Sequence, residues 1–383
     1  MTARFFAACC ALVVTGLSAL SLGGRVFYLV SWALLAMMAY ALASVLAAGR
    51  LVELEQSAQD TKVERGSSSG LAVQVRNRSL LPLAPLEMHL SLPDGRDRVF
   101  FDVGILRQRK VSFPFYLPHV GLIPVGVQAL YLSDIFRLFR LRKRRVQSPV
   151  QVCVLPRSFE VEKLKFLNLD DGRALPNRSS EDITSPEDTR SYRGGDAMKR
   201  IHWKLSSRKR ELIVRRFEMP APPDTLILMD CCDPVGYEQA PDGLGRMKDT
   251  LCETALSVAR MQMENGQPVR LPLYGARTGE FQADKAGSLA LLQEELAYQI
   301  FRGGEPFDKV LAVELRRMRR TGATIVITSR LDAQVVEGVK HIRRSGPSVR
   351  FYLVSLNPQD ERFAPFVQQL QHHLVEVCYV TPA

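Results

Sequence analysis

Two long stretches without a charged residue lie near the start of the chain, and they constrain its architecture more than any other feature. The first covers residues 5–22 and the second covers residues 26–48. A short Gly-Gly-Arg segment ending at Arg25 separates them. A helix needs about 20 apolar residues to cross the hydrocarbon core of a bilayer. The sequence therefore predicts a transmembrane helical hairpin within residues 1–50, with the lipid bilayer as a partner.

The charges that flank these stretches predict an orientation. Arg4 and Arg50 lie at the outer ends, whereas Arg25 is the only cation of the connecting loop. The positive-inside rule then favours a multi-pass protein of the cell membrane with a cytoplasmic body. A signal peptide is the alternative for the first stretch, but a second apolar stretch follows directly. The seven cysteines contain no Cys-x-x-Cys pair, which agrees with reduced thiols in a reducing compartment.

Residues 51–157 alternate short apolar strands with turns. Segments such as "LAVQVRN" and "LEMHLSLPDG" recur at roughly ten-residue spacing without a long amphipathic helix. This pattern predicts an all-β, immunoglobulin-like sandwich. The basic run in "DIFRLFRLRKRRV" either lies against anionic lipid or forms a solvated edge.

Residues 223–383 alternate apolar strands with amphipathic helices. "DTLILMD", "PVRLPLYG", "ATIVITS", "VRFYLVS" and "LVEVCYV" are the strands, and helical segments separate most of them. This order predicts a doubly wound α/β domain with a mostly parallel sheet. In such sheets ligands bind beyond the carboxyl ends of the strands. Residues 158–222 form a connector, of which "NRSSEDITSPED" is expected to be a flexible loop.

The end of the first α/β strand, "LILMDCCDP", resembles the metal site of a von Willebrand factor A domain. That family places Asp-x-Ser-x-Ser here to hold a divalent ion. Asp230 matches the aspartate, but Cys232 and Pro234 occupy the two serine positions. A thiol is a poor ligand for Mg²⁺, and proline offers no side-chain oxygen.

A later aspartate of the same family is also replaced. Ser329 and Arg330 follow the strand "ATIVITS" at that position. Asp233 and Asp332 are nearby acids that could substitute as metal ligands. We therefore expect no cofactor, with a Mg²⁺ ion at a degenerate site as the alternative.

The segment "YRGGDAMKRIHWKLSSRKRELIVRRFE", residues 192–218, concentrates nine lysines and arginines against three acids. Asp196 is expected to cap a helix that carries Met198, Ile201 and Leu205 on one face. The segment "ELIVRRFE" is expected to be a strand. Nucleic-acid binding is one hypothesis for this charge, but the aromatic residues of a single-strand platform are missing. No nucleic-acid partner is expected.

The same segment resembles the signature of the domain-of-unknown-function 58 (DUF 58) family. The matching residues include Tyr192, Gly195, Asp196, Arg200, Trp203, Lys204, Arg215 and Glu218. The resemblance implies two N-terminal membrane spans, a β-sandwich and a von Willebrand A-like domain. It also implies a partner of the MoxR type of AAA+ ATPase and no established catalytic activity.

These patterns lead to one expected function and two alternatives. The expectation is a membrane-anchored, non-catalytic adaptor or assembly factor that acts through protein–protein contacts. The alternatives are a metal-dependent enzyme or ligand-binding A-like domain, and nucleic-acid binding through residues 192–218. No catalytic constellation occurs in the sequence. Within the signature, the Arg and Lys head groups are expected to pair with carboxylates, and Trp203 is expected to pack the helix onto the α/β domain.

Overall fold

The chain divides into two compact units in the computed structural model. The first unit comprises Met1–Arg157 with Gln293–Tyr298, and the second comprises Ser158–Leu292 with Gln299–Ala383. The structure describes residues 3–22, 24–143, 146–161, 186–192, 198, 201–217, 224–236, 242–275, 278–283, 286–299, 301, 305–318, 321–358 and 360–382.

The first unit opens with two long apolar helices, α1 at Ala3–Leu22 and α2 at Arg25–Leu51. Both are long and apolar enough to cross a membrane, by length and composition. Their large side chains are exposed; Leu20 and Trp32, for example, are 76% and 68% exposed. The core helix of a soluble domain would bury such residues. The predicted hairpin of two apolar helices is therefore present, with boundaries within three residues of those expected.

The end of α2 is joined directly to the β structure that follows. Leu51 is the last helical residue and Val52 is the first residue of strand β1, Val52–Ala58. Ala48 is fully buried and belongs to the core of the β domain. The ammonium group of Lys143 donates hydrogen bonds to the carbonyl oxygens of Gly49 and Val52. Burial lowers the pKa of Lys143.

Nine strands form two sheets in the described part of the first unit. One sheet has the order β1-β3-β6, and the other has the order β2-β9-β7-β4-β5, with β8 paired to β7. The remaining strands are β2 (Lys62–Glu64), β3 (Ser68–Asn77), β4 (Leu86–Leu92), β5 (Gly95–Phe101), β6 (Gln108–Tyr116), β7 (Gly121–Ser133), β8 (Arg140–Arg142) and β9 (Val150–Leu155).

Both sheets contribute side chains to one hydrophobic core. Leu71 and Val73 come from the first sheet, and Met88, Leu130 and Val152 come from the second. The alternation of buried and exposed residues along β3 and β4 is what places one face of each strand in this core. The period-two pattern of the sequence predicted this β-rich body correctly.

The second unit contains a six-stranded mixed sheet in the order β14-β13-β12-β15-β16-β17. Its strands are β12 (Asp224–Met229), β13 (Val269–Tyr274), β14 (Thr278–Ala283), β15 (Thr321–Thr328), β16 (Ser348–Val354) and β17 (Glu376–Val380). Strands β12, β13, β15, β16 and β17 are parallel, and β14 is antiparallel to β13.

Helices cover both faces of this sheet. Leu226 and Leu228 of β12 pack with residues of helices α6 (Phe307–Arg317), α7 (Ala333–Arg344) and α8 (Ala364–His372). Helix α4, Gly243–Glu264, packs against β12 and β15. Helix α5 covers Leu289–Ala297. A sheet buried on both faces needs strands that are apolar throughout, which explains the continuous runs in the sequence.

A smaller two-stranded sheet precedes the six-stranded one. Strand β10, Pro186–Ser191, pairs antiparallel with β11, Ile213–Phe217, and helix α3, Trp203–Lys209, lies between them in sequence. The prediction of a strand in "ELIVRRFE" is confirmed. The first nine residues of the flexible loop predicted in "NRSSEDITSPED" lie outside the described ranges, and the prediction is wrong for its last three residues, which lie in β10. Backbone pairing with β11 outweighs their polar composition.

Candidate functional site

The strand order of the six-stranded sheet reverses between β12 and β15. Strand β13 follows β12 on one side, whereas β16 follows β15 on the other. Met229 and Ile327 are register partners, so the two strands end at the same edge. This reversal is where ligands usually bind in open α/β sheets. Asp230 follows β12 directly, and Ser329 and Arg330 follow β15.

Asp230 is 1% exposed, and both of its carboxylate oxygens accept hydrogen bonds. Oδ1 accepts from the backbone N–H of Cys232 at 2.9 Å. Oδ2 accepts from the hydroxyl of Thr328 at 2.7 Å and from Nε of Arg330 at 3.2 Å. A buried carboxylate needs such partners because burial without them is costly. The guanidinium group thus supplies a positive charge beside Asp230.

Arg330 also fixes the loop after β12. Its Nη2 donates to the backbone oxygen of Asp233, and its own backbone N–H donates to the Thr328 hydroxyl at 2.9 Å. The side-chain oxygen of Ser329 accepts from the backbone N–H of Val235 at 3.2 Å. Residues after β15 therefore hold the chain that follows β12 by several hydrogen bonds.

The two adjacent cysteines at this edge have raised pKa values. Burial raises the pKa of Cys231 to about 12. Burial, with a further contribution from the charge of Asp230, raises the pKa of Cys232 to about 11, while Arg330 opposes that shift. The Cys232 thiol donates to the backbone oxygen of Glu305 at 3.1 Å. Both groups are therefore protonated thiols near neutral pH, which does not suit nucleophilic chemistry.

The other two candidate metal ligands have separate roles. The carboxylate of Asp233 lies 3.1 Å from the ammonium of Lys248. Asp332 caps helix α7, and its Oδ1 accepts from the backbone N–H of Val335 at 2.9 Å. Among the described residues, no three His, Cys, Asp or Glu side chains form a group that could hold a metal ion. The three acids proposed from the sequence are thus not gathered around a common centre in the described part of the chain.

The signature segment begins its helix later than expected. Helix α3 starts at Trp203, and its N-cap is His202, whose Nδ1 accepts from the backbone N–H of Leu205 at 3.3 Å. Ile201 is not helical; it forms a β-bridge with Val214 and is buried. The expected helical face of Met198, Ile201 and Leu205 is therefore wrong. The backbone of Ile201 pairs with β11, so this residue is excluded from the helix, which begins only at Trp203.

A buried serine joins α3 to β11. Ser206 Oγ accepts from the backbone N–H of Ile213 at 2.9 Å and lies 3.4 Å from its carbonyl oxygen. The next residue, Ser207, is exposed, and its hydroxyl donates to the backbone oxygen of Trp203 at 2.7 Å. Helix geometry explains why Ser206 is buried and Ser207 is exposed, because two adjacent helical residues point in different directions and only one can face the sheet.

Two signature side chains lie at the surface. Trp203 is 64% exposed, so the expectation that it packs the helix onto the α/β domain is wrong. Lys204 is exposed, and no carboxylate among the described residues pairs with it, so its expected ion pair stays a prediction. Tyr192 is half-buried, and its backbone N–H donates to Leu212 O at 2.8 Å. In the two-stranded sheet, the backbone of Arg215 on β11 lies opposite Thr189 on β10. Four predicted residues lie outside the described ranges: Gly195, Asp196, Arg200 and Glu218.

The signature is also found by comparison with known families. A family model described as "Protein of unknown function DUF58" matches residues 188–368. The match supports the DUF58 family. The matched DUF58 region begins within β10 and ends within α8, so it contains the signature segment and most of the six-stranded sheet.

Two solved structures show distant similarity to the chain. The CARDB domain of a Pyrococcus furiosus protein, in complex with di-metal ions, is 10% identical, with a TM-score of 0.22 over 27% of this chain and 90% of that chain. Cwp6 from Clostridium difficile is 11% identical, with a TM-score of 0.18 over 86% of this chain and 53% of that chain. No curated protein matches the chain. At these TM-scores neither structure informs the fold or the function of the DUF58 region.

The most informative residue of the DUF58 region was not predicted as a site residue. In the sequence, Arg330 stands out only because it follows Ser329 where an aspartate is expected. In the structure it forms an ion pair with Asp230. A signal was available, because a cation and an acid after neighbouring parallel strands meet at one edge of a sheet. Thr328, the last residue of β15, gave no such signal because threonine is common in strands.

Proposed function

We propose that this protein is a membrane-anchored, non-catalytic adaptor or assembly factor that acts through protein–protein contacts. The observation that carries the proposal is the exposure of Trp203, the aromatic residue of the DUF58 signature. Tryptophan is enriched among the residues that dominate binding energy at protein interfaces.

The surroundings of Trp203 support the same function. Met198 is 74% exposed and Leu212 is 44% exposed, so three large apolar side chains of this segment face solvent. Exposed basic residues follow on α3 and just beyond it, namely Lys204, Arg208, Lys209 and Arg210. Apolar anchors with a cationic rim suit a protein partner with an acidic surface.

The strand-end edge supports a role without catalysis. Asp230 is the candidate ligand there for a divalent ion, but both of its carboxylate oxygens already accept hydrogen bonds. Arg330 and Thr328 donate to Oδ2, and the backbone N–H of Cys232 donates to Oδ1. The nearest thiols are protonated. We infer that this edge maintains the loop geometry of a degenerate von Willebrand A-like domain, and that the β domain is an immunoglobulin-like sandwich.

The anchor and the partner complete the proposal. Helices α1 and α2 supply a membrane hairpin, and the flanking arginines favour a body on the cytoplasmic side. The resemblance of the signature to the DUF 58 family makes an AAA+ ATPase of the MoxR type the candidate partner. An ATPase of this kind would supply the nucleotide chemistry that the adaptor does not.

The test is co-purification from membranes with the full-length protein. Wild type, Trp203→Ala and Leu291→Ala are compared, since Leu291 is also an exposed apolar residue (62%) but lies outside the signature. We expect an AAA+ ATPase to co-purify with wild type and with Leu291→Ala, and to be lost with Trp203→Ala. Equal recovery with all three proteins, or no ATPase in any nucleotide state, would contradict the proposal.

Nucleic-acid binding is the second candidate, and the exposed cations of α3 are the observation that favours it. Binding through phosphates would weaken steeply as salt rises. A gel-shift titration of the full-length protein with single- and double-stranded probes separates the two candidates. Absence of binding at low salt removes this one, whereas a salt-dependent shift that Lys204→Gln weakens supports it.

A further inference from the structure

The end of the β domain that joins α2 carries three loops with exposed apolar side chains. These base loops are residues 78–85, 102–107 and 134–139, which follow β3, β5 and β7. Their exposed apolar residues are Leu80 (73%), Ile105 (44%), Leu106 (61%), Ile135 (51%) and Phe136 (42%). Single apolar residues on a surface are ordinary, but five at one end of a domain need a reason.

Hydrogen bonds hold the first two base loops against each other and against α2. The backbone N–H of Arg78 donates to the last helical carbonyl, Leu51 O, at 3.1 Å. The N–H of Leu106 donates to Ser79 O at 3.4 Å, and the side chain of Asn77 donates to Gly104 O at 3.3 Å. The loops therefore begin where the apolar helix ends.

The third base loop reaches both helices. The ring of Phe139 lies 5.1 Å from the ring of Phe5 at the start of α1. Strand β8 follows this loop, and the Leu141 side chain lies beside Gly49 in the last turns of α2. Buried Asp134 fixes the loop by accepting the backbone N–H groups of Phe136 and Phe139 at 2.9 and 2.7 Å. Ile135 and Phe136 are thus exposed on a braced loop.

Exposed cations lie within the base loops and in the strands next to them. Arg107 and Arg142 are exposed, and neither forms an ion pair among the described residues. Arg109 is exposed and donates to the backbone oxygen of Asp102. Of the nearby acids, Glu53 pairs with Arg78 and Glu87 pairs with Arg140, so their charge is compensated. Asp134 is buried, which leaves Asp102 as the exposed carboxylate among the described residues of the base loops.

We propose that the base loops bind the surface of an anionic lipid bilayer. Leu80, Leu106, Ile135 and Phe136 enter the interfacial layer, while Arg107 and Arg142 contact lipid phosphates. We infer a bilayer as the binding partner because the base loops adjoin the ends of two apolar helices. We infer anionic lipid because the exposed cations of this region outnumber its exposed acids. The inference rests on the membrane anchor of the proposed function and adds a lipid-binding role for the β domain.

The test is hydrogen exchange of the full-length protein in nanodiscs. Discs of phosphatidylcholine alone are compared with discs that also contain phosphatidylglycerol. Amides of the base loops should exchange more slowly in the anionic discs, by about fivefold for each arginine that contacts the surface. The turn between β4 and β5, at the opposite end of the strands, should exchange equally in both discs.

Two variants make the test specific. Arg107→Gln should reduce the lipid-dependent protection of the base loops about fivefold, whereas Arg98→Gln, at an exposed arginine on β5 outside these loops, should leave it unchanged. Leu106 has a positive φ of 50°, which asparagine tolerates better than leucine. Leu106→Asn should therefore remain folded while its loop loses protection in both kinds of disc.

The outcomes separate the inference from the membrane anchor on which it rests. If alkaline carbonate extracts the protein from membranes, the anchor itself is wrong. If the protein enters discs but its base loops exchange equally in neutral and anionic lipid, the lipid-binding role is wrong and the anchor stands.

Discussion

Nε of Arg330 lies 3.2 Å from Oδ2 of Asp230, across the two strand ends at which the order of the α/β sheet reverses. The carboxylate is buried and the guanidinium is partly exposed. A cation that belongs to the chain therefore accompanies an acid at the edge where open α/β sheets usually bind ligands. This pair leads to the first two predictions.

Replacing Arg330 with methionine should destabilise the α/β domain. Asp230 would stay buried without its cation, and the loop after β12 would lose the bond to the Asp233 carbonyl. Because Arg330 is partly exposed, we expect a loss of about 2 kcal/mol rather than the larger cost of a fully buried pair. The urea midpoint in detergent, followed by circular dichroism, measures it. Arg362→Met, which breaks an exposed pair with Asp360, is the control and should change little.

Magnesium should not stabilise the wild-type protein. Both oxygens of Asp230 already accept hydrogen bonds, so an ion would have to displace Arg330. The unfolding temperature should be the same in Mg²⁺ and in EDTA. A Mg²⁺-dependent increase that Asp230→Asn abolishes would instead support the metal-dependent alternative.

Cys232 should react slowly with alkylating agents at pH 8. Its pKa is raised from the ordinary 9.0 to about 11, so its thiolate fraction is about 100-fold lower than that of an ordinary thiol. Asp230 raises this pKa and Arg330 lowers it. Asp230→Asn should therefore speed the reaction with iodoacetamide, and Arg330→Met should slow it. Peptide mass spectrometry at timed intervals gives the rates; rates that change in the same direction in both variants would contradict the electrostatic explanation.

Ser206 and Ser207 offer a matched pair within the signature. Ser206→Ala removes a buried acceptor and leaves the N–H of Ile213 unsatisfied, which should cost about 1–2 kcal/mol. Ser207→Ala removes only an exposed hydroxyl and should change stability by less than about 0.5 kcal/mol. Urea unfolding in detergent compares the two. Similar losses would mean that the contact between α3 and β11 contributes little.

Glu280 should make the α/β domain sensitive to acid. Burial opposes its ionisation, but hydrogen bonds from Arg317 and Arg270 lower its pKa below the ordinary 4.5. A lowered folded pKa gives stability that is present above pH 4.5 and is lost as the pH falls through the folded value. Glu280→Gln should flatten the decline of the urea midpoint below pH 4.5. Glu264→Gln, at an exposed i,i+4 pair with Arg260, should leave the decline unchanged.

Long apolar patterns predicted much of the fold. The two helices and the α/β strands were found because each is a continuous apolar run, which composition alone reveals. Short or polar strands were missed. Strand β14, "TGEFQA", carries no apolar pattern, and it exists because its backbone pairs with β13 at the sheet edge. Such strands depend on partners distant in sequence, which a local pattern does not contain.

The candidate site was only partly predictable for the same reason. The position of Asp230 followed from the end of an apolar strand, but its pairing with Arg330 joins residues 100 positions apart. In the signature, the residue types predicted a helix and a strand correctly. The helix start was wrong because the β-bridge of Ile201 to Val214 decides it, and that contact is absent from the local sequence.

The junction at Leu51 and Val52 has a mechanical consequence. No linker separates the last helical residue from the first strand residue, Ala48 is embedded in the β core, and Lys143 ties down the carbonyls at the helix end. A turn of α2 about its own axis must therefore rotate the sheet that contains β1. Helix α2 is thus rigidly coupled to the β domain, and a rotation at one end of the helix is transmitted to the other end.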